Sequence, residues 1–264
     1  MTPGTDRPAA SRPNPGRVAG EQTRRPSGTL VLLRNGQSQA DGGQVFAGLL
    51  DPHLTDVGLA EARNAGEMLR AHRIGIDLVL SSPLARALQT AGVVADGLGV
   101  PQDDRVIDAR LRARGLGRLT GLAKRRALEK FGRDSYLEWR YALDGCPPPA
   151  TPEQATTWQW SPPADLVDAE TLRAGESLRD VIARVRPVWT DAVQPALRAG
   201  RNVLLVAHGD SLRALRAVLE DVASDRLGDS SITPAQPLVY GCRTDGRIVG
   251  PGRYVEDLDQ AHDA

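Results

Sequence analysis

A chain of 264 residues, 41% hydrophobic and 25% charged, has the make-up of one globular domain with a sizeable core. Its formal net charge of zero gives no global field to draw in nucleic acid or an anionic membrane, and no run approaches the ~18 apolar residues of a membrane span. Cys146 and Cys242, far apart in sequence, exclude a disulfide framework and a thiolate metal cluster, so no metal is expected and a reducing cytoplasm is the simplest home.

Residues 1–28 are rich in Pro, Arg, Gly and Ser and almost devoid of large apolar side chains, which predicts a disordered tail. They lack the apolar core of a secretory signal, and their arginines suit an acidic partner. The domain is expected over residues 29–243, followed by a polar C-terminal tail over 244–264. Short unbroken apolar runs at 30–33, 78–80 and 203–207 read as buried strands of a mostly parallel sheet. Between them lie helix signals. Thr55 caps a helix running to about residue 72, with Leu59, Ala62, Ala65, Gly66 and Leu69 inward. Ser82 and Pro83 read as the cap and first-turn proline of the next helix, and residues 146–163, with Trp158 and Trp160, as a long loop. Ser177 with Asp180 forms a capping box before Leu178, Ile182, Val185 and Val188, in a helix that Pro187 and Pro195 should kink or split. The alternation predicts an α/β fold of three layers, α/β/α, with its site at the carboxyl ends of the strands, where Arg34 and Asn35 leave one strand and His208 and Gly209 another.

Five ordered blocks carry a resemblance. Leu32-Leu33-Arg34-Asn35-Gly36-Gln37-Ser38 resembles the Arg-His-Gly-Glu/Gln-Ser/Thr signature of the histidine phosphatase superfamily. Phe46-Ala47-Gly48 with Asp51-Pro52-His53-Leu54-Thr55 is similar to a substrate loop, and the block from Ser81 to Thr90 to the turn that supplies a second phosphate-binding arginine, Arg86. Residues 121–132 look like the helical insertion of the cofactor-dependent phosphoglycerate mutases. The segment Val206-Ala207-His208-Gly209-Asp210-Ser211-Leu212-Arg213 resembles the second histidine motif, with Pro237-Leu238-Val239-Tyr240 after it. The resemblance implies a phosphate clamped by Arg34 and Arg86 beside His208, with Gly48, Lys124, Arg140 and Gly209 around the substrate. A planar guanidinium fork suits that work.

The departures matter as much. Asn35 stands at the position of the phosphate-accepting histidine, and a carboxamide nitrogen has no lone pair free for attack. Ala113 aligns with the proton-donating glutamate, Leu116 with an aromatic contact, Ala47 with a threonine and Tyr141 with the second of two arginines. Asp41 and Asp210 replace asparagines that donate hydrogen bonds to phosphate, and an ionised carboxylate only accepts them.

Three readings are open. In the first, the protein is a pseudoenzyme that binds a small anionic metabolite or a partner protein and needs no cofactor. In the second, it is a repurposed enzyme with His208, Asp210 and Asp41 as a new acid-base set and His53 as a nearby candidate. The third is an active phosphoglycerate mutase of glycolysis, using 2,3-bisphosphoglycerate, with His208 as substitute nucleophile. Neither nucleic acid nor membrane is expected as partner, and the resemblance implies a homo-oligomer.

Overall fold

The computed structural model describes residues 28–258, so the tail expected over residues 1–28 lies, Gly28 excepted, outside the described residues. In chain order the first half comprises β1 (Thr29–Arg34), α1 (Gln39–Gly42), α2 (Asp56–Ala71), β2 (Leu78–Ser81), α3 (Ala85–Leu98), β3 (Arg105–Ile107), α4 (Lys124–Phe131) and α5 (Arg133–Tyr141). The second comprises α6 (Pro152–Ala155), α7 (Ala169–Arg173), α8 (Leu178–Val188), α9 (Gln194–Arg198), β4 (Val203–Ala207), α10 (Gly209–Glu220), β5 (Leu238–Cys242) and β6 (Ile248–Tyr254).

The six strands form one sheet in the order β3-β2-β4-β1-β5-β6. β1, β2, β3 and β4 are parallel, β5 is antiparallel to β1, and β6 is antiparallel to β5. Both faces are covered, which is why the central strands are continuous apolar runs rather than alternating ones. Leu30 and Leu32, with their partners in register Val203 and Leu205, pack with Val181, Val185 and Val188 of α8 and Leu212 and Leu215 of α10. Val31, Leu33, Leu204 and Val206 pack on the opposite face against Ala65 and Leu69 of α2 and Ala87, Ala91 and Val94 of α3. The three-layer, mostly parallel fold is therefore the observed one.

Local signals account for most helix ends. The Thr55 hydroxyl accepts from Gly58 N–H at the start of α2. Ser177 and Asp180 form both bonds of the capping box on α8. Pro187 lies inside α8 and Pro195 in the first turn of α9, and Trp189–Val193 between them widens into a π-helical turn.

Four expectations need correction. The C-terminal polar tail begins too early: Ile248–Tyr254 is an edge strand paired with β5, and Val255 is buried under the α2–α3 face. Residues 259–264 lie outside the described residues. The loop over 146–163 contains α6, capped by the Thr151 hydroxyl. Ser82 is not the cap residue of α3, whose first turn starts at Ala85, with the Ala85 N–H donated to Asp51 Oδ1 at 2.6 Å. Leu59 is half-buried rather than in the core.

The loop leaving β1 is held down by close backbone approach. Gly36 and Gly58 face each other, and a Cβ on Gly58 would overlap the Gln37 carbonyl. The Gly36 N–H also donates to Thr90 Oγ1 (3.1 Å), and the Gln37 N–H to Glu61 Oε2 (2.7 Å). Gly58→Ala is expected to push α2 off this loop and to destabilise the protein by about 1–3 kcal/mol, the usual cost of overpacking. Urea unfolding of the two proteins measures it.

Candidate functional site

Parallel strands that sit side by side deliver their following residues to one edge of the sheet. Ser82 follows β2, His208 follows β4 and Asn35 follows β1. Because the strand order is β2-β4-β1, the three side chains stand in a row with the histidine in the middle. The Asn35 N–H donates to the Ala207 carbonyl (3.0 Å) and the Ser82 N–H to that of Val206 (3.1 Å), which extends the sheet pairing to the row itself.

The side chains are joined by hydrogen bonds. Asn35 Nδ2 donates to the Gly36 carbonyl at 2.9 Å, which turns Oδ1 toward His208 Nδ1 at 3.1 Å. Since Oδ1 can only accept, Nδ1 carries the proton, and Nε2 accepts from the Ser82 hydroxyl at 2.7 Å. Burial first, then the charges of Arg86, Arg184 and Arg34, push the imidazole well below its usual 6.5, so it is neutral. A Ser-His-Asn row has the outline of a nucleophile, a base and an orienting group. Ser82, however, is fully buried and lies outside the cavity wall. Its oxygen also accepts from the Leu84 N–H (3.3 Å).

A cavity of about 160 Å³ opens in front of this row. It is lined by Arg34, Asn35, Asp41, Gly48, Arg86, Ala113, Lys124, Arg140, His208, Gly209 and Asp210, all of them site residues expected from the sequence. His53 is not among them. It is exposed, with Nδ1 at 3.0 Å from Gln89 Nε2. Arg114, Arg213, Phe46, Leu116 and Ser38 also stand in the wall, so six cationic side chains face two acidic ones. Of these five, only Leu116 was singled out in the sequence. Arg114 and Arg213 were legible there as arginines inside matching motifs, but no local signal distinguishes a buried arginine from a solvated one.

The arginines differ in what already holds them. Arg86 is fixed by the carbonyls of Leu50 (2.8 Å) and Gly48 (2.9 Å), the latter exposed by a left-handed turn at Gly48, φ 52°. Burial pushes its pKa down to about 10, which leaves it charged. Arg114 is spent on the carbonyls of Glu176, Trp139 and Gly145, each at 2.7 Å. Arg34 has one long bond, to the Ile232 carbonyl at 3.3 Å. Arg140 lies between two rings, 5.2 Å from that of Phe46 and 5.7 Å from that of Tyr141.

The two aspartates are not alike. Asp41 closes the capping box of α1, accepting from the Ser38 hydroxyl (2.6 Å) and N–H (3.0 Å). Asp210 lies among Arg213 (3.4 Å), Arg140 (3.7 Å) and Arg114 (3.8 Å). Burial alone would raise its pKa, but Arg140, Arg114, Arg213 and Arg34 outweigh it and hold the carboxyl below the usual range. Neither carboxylate bonds to His208, whose two ring nitrogens are taken by Asn35 and Ser82. The two carboxylates therefore do not hold it as an imidazolium, since burial and the arginines lower its pKa. The 110–115 loop, which carries Ala113, is fixed by Glu176 through Arg184 (2.9 Å), Arg112 (3.1 Å) and the Gly115 N–H (2.8 Å).

A neutral buried histidine has a stability signature. The unfolded chain binds a proton near pH 6.5 and the folded one does not, so stability is complete above that pH and falls as the pH drops through the window below it. Between pH 6.5 and 5 the wild type is expected to lose stability faster than His208→Gln, by up to about 1.4 kcal/mol per pH unit. Urea midpoints across that range give the two slopes.

Residues 30–249 match the sequence profile described as Histidine phosphatase superfamily (branch 1). A relative from Corynebacterium efficiens, 36% identical over 237 residues, covers 89% of this chain and 93% of its own length. One from Leifsonia xyli subsp. xyli is 37% identical over 236 residues, covering 87% and 92%. Both are named 2,3-bisphosphoglycerate-dependent phosphoglycerate mutase. Among solved structures, a mycobacterial glucosyl-3-phosphoglycerate phosphatase with VO3 aligns with a TM-score of 0.63 at 27% identity, covering 86% of this chain and 97% of its own. A putative alpha-ribazole-5'-P phosphatase from Escherichia coli shares the fold with a TM-score of 0.62 at 21% identity, covering 86% and 95%.

Proposed function

The chain belongs to the histidine phosphatase superfamily, and from that premise we propose that it is a degenerate member whose pocket binds a phosphate-bearing anion without forming a phosphohistidine. The observation that carries this reading is the closed row of Ser82, His208 and Asn35. The nucleophile position holds a carboxamide, and both nitrogens of the remaining histidine are occupied by neighbours. Ala113, where a proton donor belongs, packs in an apolar cluster with Leu49, Leu84 and Val167. Loss of a nucleophile alone costs about a millionfold in kcat, which would bring a typical turnover of about 10 s⁻¹ to about 10⁻⁵ s⁻¹. What remains is recognition. Arg34 keeps most of its donors free, and Lys124 stands exposed at the rim.

The names of the relatives favour a phosphoglycerate mutase, and that of the mycobacterial neighbour a phosphatase acting on a glycosylated phosphoglycerate. Asn35 and Ala113 stand against turnover in either role, while both names support a phosphate ester as ligand. A new acid-base set of His208, Asp210 and Asp41 lacks support, because neither carboxylate bonds to His208, whose ring nitrogens are held by Ser82 and Asn35. A cytoplasmic setting fits such a ligand, and no described helix is long and apolar enough to cross a membrane.

The test is incubation with 2,3-bisphosphoglycerate followed by intact-mass analysis under alkaline conditions, alongside calorimetric titration with inorganic phosphate. No phosphoenzyme is expected, and phosphate is expected to bind with an affinity that Arg34→Gln lowers about tenfold or more, the scale of a charge-assisted hydrogen bond. A stoichiometric phosphohistidine on His208 would overturn the reading.

A further inference from the structure

Two arginines of the cavity wall hold donors with bonds left unmade. Arg213 is 8% exposed, yet its Nε and Nη1 have no hydrogen-bond acceptor, and neither has the buried Nε of Arg140. Asp210, one turn before Arg213 on α10, has that guanidinium at 3.4 Å and those of Arg140 and Arg114 beyond it, and lines the cavity. Buried donors without acceptors are rare and costly, so they are ordinarily met by water or by a ligand. Here buried guanidinium donors without acceptors and an ion-paired carboxylate stand side by side in a wall that lines the cavity.

The chemistry of that pair selects its guest. A ligand carboxylate would suit the arginines but would come against the ionised Asp210, and an ammonium would suit Asp210 but face three guanidiniums. A hydroxyl group donates to the carboxylate and accepts from the guanidinium at once, and it carries no charge. The adjoining wall is made of Ala47, Leu116 and Ala113, which present carbon to the carbon skeleton of a ligand. We propose that Asp210 and Arg213 form a subsite for a hydroxyl-bearing, uncharged portion of the ligand, so that the pocket takes a phosphorylated polyol or sugar in preference to a phosphorylated carboxylic acid. This rests on the phosphate-binding reading of the same pocket and assigns Asp210 as its specificity-determining residue.

Two probes differ at one carbon. Glycerol 3-phosphate ends in CH₂OH where 3-phosphoglycerate ends in a carboxylate, so their affinities for the full chain, measured by calorimetry beside inorganic phosphate, isolate the far end of the ligand. The wild type is expected to bind glycerol 3-phosphate at least tenfold more tightly than 3-phosphoglycerate. Asp210→Asn, nearly isosteric, is expected to shrink that ratio at least tenfold or reverse it. Arg213→Gln is expected to weaken glycerol 3-phosphate more than inorganic phosphate. The wild-type ratio alone decides the matter if a variant fails to fold. Phosphate binding with a flat or reversed wild-type ratio, or a ratio that a folded Asp210→Asn protein leaves unchanged, overturns the subsite and spares the phosphate reading. Absence of binding by all three probes overturns both.

Discussion

Everything at the site hangs on one buried imidazole that must have both of its nitrogens satisfied. His208 sits at the end of the central strand β4, and the neighbours it needs come from the two strands that flank it. A carboxamide at 35 suits that need because it accepts through Oδ1 while its Nδ2 is absorbed by the Gly36 carbonyl. The proton on Nδ1 is then fixed, and Ser82 is fixed as donor to Nε2. The row of Ser82, His208 and Asn35 is thus a satisfied polar core. Any charge placed on the imidazole would stand among Arg34, Arg86 and Arg184 in a buried setting, which is why the neutral form prevails.

Burying Arg86, Arg114 and Arg184 is possible because each is matched by acceptors the fold provides. Arg86 and Arg114 use backbone carbonyls, and Arg184 uses Glu176 together with the carbonyls of Arg110 and Ala113. Such bonds tie distant segments together: Arg114 joins the end of α5 to the loop before α8. Asp210 works differently. It offsets the charge of three arginines without settling into hydrogen bonds with them, and as an acid in the first turn of α10 it also favours the helix dipole. The cavity wall is thereby left mixed in charge, six cationic side chains with two carboxylates.

The sequence was most legible where periodicity and chain geometry decide the outcome. The strands at 29–34, 78–81 and 203–207, the Thr55 and Ser177 caps and the π-helical break near Pro187 each follow from local chemistry. The resemblance added which strand ends meet, and the phosphate and substrate positions it implied line one cavity. Less legible were features set by partners distant in sequence. The polar composition of 244–264 hid β6 because an edge strand with exposed Val249 and Gly250 need not be apolar, and its pairing comes from β5. Ser82 has the look of a helix cap, but its hydroxyl is claimed by a histidine 126 residues away. The engagement of Asp210 with Arg114 and Arg140 depends on α5 and the 110–115 loop folding back over α10, and no spacing in the sequence reports it.

The positions that depart from the family pattern share a physical feature: each substitute does something for the fold. Ala113 completes an apolar cluster with Leu49, Leu84 and Val167, and Leu116 another with Phe46, Leu119 and Ala127. Tyr141 lays its ring 5.7 Å from the guanidiniums of both Arg140 and Arg213. Retention of Arg86 and Arg114 is accordingly weak evidence for a ligand, because the carbonyls they hold would be left without donors if they were lost. The stronger evidence lies in groups the fold does not use. Arg140 Nε and Arg213 Nε and Nη1 have no hydrogen-bond acceptor among the described residues, and burying them so is a standing cost. A pocket kept only as scaffold would be relieved by replacing those arginines with apolar side chains, as buried ion pairs often tolerate. Their presence beside the Asp210 carboxylate is what supports the proposal of a binding site.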